Sequence, residues 1–244
     1  MSSFWLNKPK ISVCNDEKNA FVNGLSDRVS CVIAGAKIEE ADILNSQNEL
    51  EKAYRIYKDI LAENPMHTDA LFGIGVILEK QLKFDLAIQF LSKAIETNPH
   101  KIEALLARGR IFRQQGMSKN AISDFTKIIS NHPDFFEALI ARGIALGHTS
   151  QFDAAIDDFN SAIRVNPSCA EAFYNRGVVF EKLHQFVSAI ADYSIAIKLN
   201  PHDYRAYNNR GVAQRETGCF DAANKDFEES IKINPDFAEG HYNK

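Results

Sequence analysis

The side chains that could act as acids, bases or metal ligands are few, and their spacing fits no catalytic arrangement. Four histidines, His67, His100, His132 and His202, lie beside or close to prolines in predicted turns, and none belongs to an HExxH motif. The sequence contains no GxxxxGK[ST] or GxGxxG stretch, so no phosphate-binding loop is predicted. We therefore expect no enzymatic activity, no cofactor and no metal site.

Acidic residues form two groups that could suggest acid–base chemistry, Asp157 with Asp158, and Asp221 with Asp226. A second pattern explains them better: four arginines recur at a fixed step, and each precedes an aspartate by the same interval. The arginines are Arg108, Arg142, Arg176 and Arg210, and the aspartates are Asp124, Asp158, Asp192 and Asp226. We predict structural ion pairs, either within one repeat or between one repeat's aspartate and the next repeat's arginine.

These charges recur because most of the chain repeats every 34 residues. Three residue types keep that step without a slip: prolines from Pro65 to Pro235, glycines from Gly75 to Gly211, and alanines from Ala53 to Ala223. A fixed period of this length is typical of a repeat array, in which each unit packs only on its neighbours. The elements that position the charges are therefore copies of one unit.

Each copy contains two runs of helical periodicity, separated by a short polar or glycine-containing turn. In the fifth copy they are predicted at about Ala170–Leu183 and Phe186–Leu199, and the first helix of the array is predicted from about residue 27 to Ser46. Proline disfavours the helical region in the residue before it, so Asn-Pro pairs end most second helices. Asp134, Ser168 and Asp236, which follow prolines, are predicted to cap the next helices.

Composition favours an ordinary intracellular protein. The chain has 244 residues, a net charge of −4 and 45% hydrophobic residues, too near neutral to suggest a nucleic-acid partner. No apolar run is long enough to cross a membrane, and the first residues lack the apolar core of a signal peptide. The four cysteines form no CxxC pair, as expected of reduced thiols. We predict a cytoplasmic location and no membrane insertion.

The repeat resembles the tetratricopeptide repeat (TPR), a 34-residue helix–turn–helix unit. The fifth copy has the family's small, aromatic and proline residues at Gly177, Ala189, Tyr193, Ala196 and Pro201. The resemblance implies an all-α, right-handed superhelical solenoid of antiparallel helix pairs whose first helices line a concave face. It also implies protein or peptide binding, but the fold does not fix the partner.

The resemblance implies a groove lined by fixed positions of each first helix. In copies two to four these positions are largely apolar, and in copies five and six they are polar. The predicted groove residues are Phe72, Val76, Leu106, Arg110, Ile140, Ile144, Tyr174, Asn175, Asn208 and Asn209. Asn175 and Asn209 are predicted to hold a peptide backbone, because an amide both donates and accepts. Alternatively, the apolar positions are packing between repeats and the asparagines are solvated.

This chain does not resemble the TPR subclass that binds the C-terminal carboxylate of chaperones. That subclass has a lysine at position 5 of one repeat, where this chain has no lysine in any copy. Without such cations a buried carboxylate would be unpaired, which costs several kcal/mol. We therefore expect no chaperone-type clamp.

The two ends depart from the repeat. The last residues match the opening of a seventh copy, and a tail this short is expected to fray unless it docks. A fragment of a longer protein, an end-to-end homodimer through the sixth copy, and a capping partner are three competing explanations. At the other end, Phe4-Trp5-Leu6 is a candidate docking segment.

These observations predict a scaffold or adaptor that binds a peptide or helical segment in a TPR groove. The alternative is the targeting or regulatory arm of a larger enzyme. The predicted organisation is an N-terminal extension over 1–33, six repeats over 34–237, and a truncated seventh repeat over 238–244. The six repeats are 34–67, 68–101, 102–135, 136–169, 170–203 and 204–237.

Overall fold

The computed structural model describes residues 33–243, and these residues form helices and short connections with no β-strand. The predicted helix start near residue 27 and Phe4-Trp5-Leu6 lie outside the described residues. The thirteen helices are α1 (33–46), α2 (Leu50–Glu63), α3 (Thr68–Lys80), α4 (Phe84–Thr97), α5 (Ile102–Gln114), α6 (Ser118–Asn131), α7 (Phe136–His148), α8 (Phe152–Val165), α9 (Ala170–Lys182), α10 (Phe186–Leu199), α11 (Tyr204–Glu216), α12 (Phe220–Ile233) and α13 (Ala238–Asn243).

The helices belong to two compact units. The first ends at Thr97 and the second begins at Asn98. In the first unit α2 packs on α3 and α3 on α4, and in the second unit consecutive helices from α5 to α13 pack on one another. First helices of successive pairs also meet, α5 with α7, α7 with α9, and α9 with α11. The all-α fold class that the sequence predicts is confirmed, while its division into six repeats stays a prediction.

Close contact within the helix pairs that begin with α3, α5, α7, α9 and α11 depends on a glycine in the first helix. A Cβ atom added to Gly177 would lie 2.8 Å from Cε1 of Tyr193, so the aromatic ring occupies the space that any other side chain would need. The same relationship joins Gly109 with Phe125 and Gly211 with Phe227. Burying such a ring against a neighbouring backbone removes roughly 150–250 Å² from water and supplies much of the core energy.

Most second helices end at an asparagine that precedes a proline, as the sequence predicts. In α8, the N–H of Asn166 still donates to Ala162 O, and the Asn166 side chain accepts from the Ser168 N–H at 3.1 Å. The N-cap of α9 is therefore Cys169, without a side-chain bond, and that of α7 is Phe135. The expected N-caps at Asp134 and Ser168 are wrong, because α7 and α9 begin two residues after them. Asp236 likewise lies two residues before the start of α13. Asp203 does cap α11 with its side chain, which accepts from the Arg205 N–H at 3.1 Å.

The turns between paired helices use a left-handed residue. Gly116 and Gly218 have φ values of 73° and 80°, as the glycine-containing turns suggest. At the same position of other copies stand residues that carry side chains, including Leu82 at 59° and His184 at 56°. The left-handed region costs such residues about 1–2 kcal/mol. The turn geometry is therefore kept even where glycine is missing.

The last described helix docks instead of fraying. α13 contacts α11 and α12. The ring of Phe237, just before α13, lies 4.8 Å from that of Tyr204, and the Asn243 amide donates to Asn208 Oδ1 at 2.9 Å. These contacts supply the tertiary support that a six-residue helix needs.

Candidate functional site

The surface of the second unit that fits a binding role is built from its first helices, α5, α7, α9 and α11. Because these helices lie side by side, residues at equivalent repeat positions come together on one face. Two cavities lie on this face, and Arg113, Ile144 and Glu171 line both of them. We call this face, with its two cavities, the first-helix surface.

The smaller cavity, of about 210 Å³, is mainly apolar. Leu106, Ile140 and Ile144 line it, together with Phe136. Ile140 is 6% exposed, so most of its side chain serves the core and only an edge reaches the cavity. Charged residues stand among the apolar ones: this cavity is also lined by Arg110, Arg113, Glu137 and Glu171.

The larger cavity, of about 470 Å³, is mainly polar. It lies where α7, α9 and α11 approach one another. Its lining comprises Arg113, Ile144, His148, Ala170, Glu171, Tyr174, Asn175, Asn200, Asp203 and Arg205. Donors and acceptors that face one cavity of this size can fix the orientation of a bound segment.

Tyr174 forms the fixed wall of the polar cavity. The Arg205 guanidinium lies 5.0 Å from the centre of its ring, and the Asn209 amide donates to its hydroxyl at 3.2 Å. Burial raises the pKa of Tyr174, so the ring presents a neutral hydroxyl at physiological pH.

Arg205 is in turn held by Asp203. Its Nε and Nη2 each donate to a carboxylate oxygen of Asp203 at 2.9 Å, an arrangement that raises the pKa of Arg205. Bidentate pairing fixes the guanidinium plane as well as the charge. Arg205 is therefore a platform over Tyr174 rather than a free cation.

The predicted asparagines have different surroundings. Asn175 lines the polar cavity, and its amide donates to Glu171 O at 2.9 Å, which leaves its Oδ1 and a second N–H for other partners. Asn209 is half-buried and donates to Tyr174. Asn208 is only 1% exposed, and its carbonyl accepts from Asn243. The structure therefore differs from the prediction at Asn208, whose amide is turned into the protein and does not face a groove.

The other predicted groove residues fall into two groups. Leu106, Arg110 and Ile144 line the apolar cavity with Ile140. Phe72 and Val76 lie in α3 of the first unit, partly buried and one helical turn apart on the same face. They form a small apolar stripe of that unit. Asp203 and His148 also line the polar cavity but were not predicted. Asp203 precedes α11 and His148 is the last residue of α7, so neither occupies one of the repeat positions from which the groove was predicted.

The four arginine–aspartate sets come together within their own helix pairs. Nε and Nη2 of each arginine donate to both carboxylate oxygens of its aspartate, for example at 2.8 and 2.7 Å between Arg176 and Asp192. The alternative of a pair with the preceding repeat's aspartate is not what the structure has. The remaining three pairs, each with a 2.7 Å contact, are Arg108–Asp124, Arg142–Asp158 and Arg210–Asp226.

Comparison with protein-family models identifies the repeat. Models described as tetratricopeptide repeat or TPR repeat match residues 38–102, 103–134, 149–183, 170–203 and 204–237. The chain belongs to the tetratricopeptide repeat family. TPR domains are protein-interaction scaffolds, and this chain is one by its fold. No curated protein sequence matches it.

Solved structures share the TPR fold. A MamA protein is 28% identical over 70% of this chain and 94% of its own, with a TM-score of 0.64. YrrB, described as a TPR protein with an unusual peptide-binding site, is 19% identical over 76% of this chain and 96% of its own, with a TM-score of 0.64. A TPR protein from Parabacteroides merdae is 20% identical over 86% of this chain and 83% of its own, with a TM-score of 0.74.

Over residues 33–243, no helix has the length and apolar character that crossing a membrane requires. Within the same span no three histidine, cysteine or acidic side chains are grouped so that they could hold a metal ion.

Proposed function

We propose that this TPR chain binds a peptide or helical segment of a partner protein on its first-helix surface, as a scaffold or adaptor. The observation that carries the proposal is the junction of the two cavities. An apolar cavity adjoins a polar one, and both share Arg113, Ile144 and Glu171 as lining residues. A peptide has the same alternation of apolar side chains and polar backbone groups along its length.

The polar cavity is suited to hold the backbone of such a segment. Asn175 keeps one acceptor and one donor for a peptide group, while Tyr174 and Arg205 are fixed by their own contacts. Fixed polar groups lose little conformational freedom on binding, which favours affinity. The apolar cavity supplies the complementary contact, because an aliphatic side chain placed against Leu106 and Ile144 leaves water.

Display selection from a random peptide library tests this proposal. Peptides selected on the wild-type chain are measured against Asn175→Ala and against Asn224→Ala, an exposed asparagine of α12 that serves as the matched control. We expect Asn175→Ala to weaken binding about threefold to tenfold and the control to leave it unchanged.

The apolar half of the surface has its own matched pair of variants. Ile144→Ala removes apolar contact from both cavities, whereas Val187→Ala changes a side chain of α10 that is 77% exposed. We expect only Ile144→Ala to weaken binding, about tenfold. Equal affinity of all four variants, with unchanged thermal unfolding, would place the ligand elsewhere and refute the proposal.

A further inference from the structure

Arg113 differs from the other cations of the first-helix surface. It lies in the last turn of α5 and lines both cavities. Its Nε is buried, and within residues 33–243 no atom accepts a hydrogen bond from it. By contrast, Arg205 is held by Asp203, and Arg110 has an interaction within the chain.

A buried guanidinium N–H without an acceptor is costly, because it has lost water and gained nothing in exchange. The carboxylates that share these cavities do not compensate it. Glu137 and Glu171 are exposed, and no atom of the described residues accepts a hydrogen bond from Arg113 Nε. Asp203, which also lines the polar cavity, is paired with Arg205. An acceptor that enters the cavity from outside would therefore gain more here than at a solvated arginine.

We propose that the first-helix surface selects segments in which an aspartate or glutamate lies two residues from an aliphatic or aromatic side chain. The carboxylate pairs with Arg113, and the apolar side chain fills the adjoining cavity lined by Leu106, Ile140 and Ile144. This inference rests on the proposed function and adds to it the chemistry of the partner. The partner is an internal segment of another protein.

The spacing follows from the position of Arg113 between the two cavities. In an extended chain, residues two apart point to the same side, roughly 6–7 Å from each other. One such residue can then reach the Arg113 guanidinium while the other enters the apolar cavity. Asn175, on α9, lines the polar cavity together with Arg113, so it can bond the backbone of a segment that continues through the cavity, and a chain terminus is not required.

The test uses random peptides of about twelve residues, long enough when extended to cross several first helices. Their C-termini are amidated, so that only side chains supply carboxylates. Selection is carried out on the wild-type chain and on Arg113→Gln. We expect acidic residues near apolar ones to be enriched on the wild type and not on Arg113→Gln.

Affinity measurements then test the pairing itself. Replacing the acidic residue of a selected peptide by its amide is expected to raise the Kd for the wild type about tenfold or more, and for Arg113→Gln less than about twofold. Arg113→Lys should keep part of the preference, because it retains a cation. Arg164→Gln, which changes an exposed arginine of α8, is the matched control and should behave as the wild type.

The outcomes separate this inference from the proposed function. The Arg113 pairing would be overturned if replacing the acidic residue weakened binding equally for the wild type and Arg113→Gln. It would also be overturned if the selected peptides contained no acidic residues. Either result would leave peptide binding itself intact. Failure of the wild type to retain any peptide would overturn both. Thermal unfolding of each variant shows whether it folds, and Arg113→Lys supplies the comparison if Arg113→Gln does not.

Discussion

Arg176 joins three helices through one guanidinium. Its Nε and Nη2 donate to Asp192 at 2.8 and 2.7 Å within the α9–α10 pair, and its Nη1 donates to Asn160 Oδ1 on α8 of the preceding pair. Arg142 makes the same third bond to Thr126, and Arg210 makes it to Ser194. The recurring arginine therefore fixes both the geometry within a pair and the register between pairs.

Arg176→Met should destabilise the protein by about 2–3 kcal/mol, because Asp192, with 5% of its side chain exposed, loses its counter-charge. Adding Asp192→Leu should restore at least half of that loss, since no buried charge then remains. Urea unfolding of the four members of the double-mutant cycle measures the coupling. Arg164→Met is the control and should cost little. Additive losses would show that the two side chains do not act as a pair.

Gly177→Ala should destabilise the protein by about 1–3 kcal/mol, because the new Cβ would overlap the Tyr193 ring. Gly147→Ala is the matched control within a first helix. Its Cβ would lie 3.6 Å from Val179 Cγ2, an ordinary contact, so the higher helix propensity of alanine should stabilise by up to about 1 kcal/mol. Chemical denaturation compares the two. Equal changes in stability for the two variants would contradict a role for the close contact between Gly177 and Tyr193.

Leu82→Gly should stabilise the protein by about 1 kcal/mol, because Leu82 adopts a left-handed φ of 59°. The leucine is 70% exposed, so little apolar contact is lost. The reverse change, Gly116→Ala, should cost a similar amount at the equivalent turn. Thermal unfolding of both variants checks the prediction, and a destabilised Leu82→Gly would mean that the side chain packs more than its exposure indicates.

The helices were predictable because each copy has the same helical periodicity of apolar residues. Ala170 and Phe186 begin α9 and α10 where the periodicity places them, and the end of α9 differs from the prediction by one residue. The arginine–aspartate sets were visible for the same reason, since both charges are present or absent together. A repeated sequence supplies its own comparison, which a single globular domain does not.

Features that depend on three-dimensional packing were harder to predict. Asn208 shares its residue type with Asn209 and stands next to it, but only the fold shows that its amide meets Asn243 instead of solvent. Arg113 has no signature in the sequence either, because its importance comes from a missing partner. The left-handed turn at Leu82 was not predictable from its own residue type, because glycine occupies the equivalent position only in other copies.

Tyr193 should make stability fall at alkaline pH. Burial, the nearby Glu181 charge and the 2.8 Å hydrogen bond to Glu181 raise its pKa above the unfolded value. The neutral phenol is therefore favoured by folding, and its contribution is fully present below the unfolded pKa near 10. It is lost as pH rises above that value, by up to about 1.4 kcal/mol per pH unit. Tyr193→Phe should unfold with a shallower alkaline slope in urea titrations, and an unchanged slope would refute the assignment.

The central claim is that a partner segment lies on the first-helix surface, and isoleucine-methyl NMR tests it most directly. The spectrum of the chain is recorded with and without an amidated peptide selected on the wild type. We predict shifts of Ile140 and Ile144 on α7, while Ile156 on α8 and Ile190 on α10 stay in place. Shifts confined to Ile156 and Ile190 would contradict the account, because the peptide would then occupy the second helices.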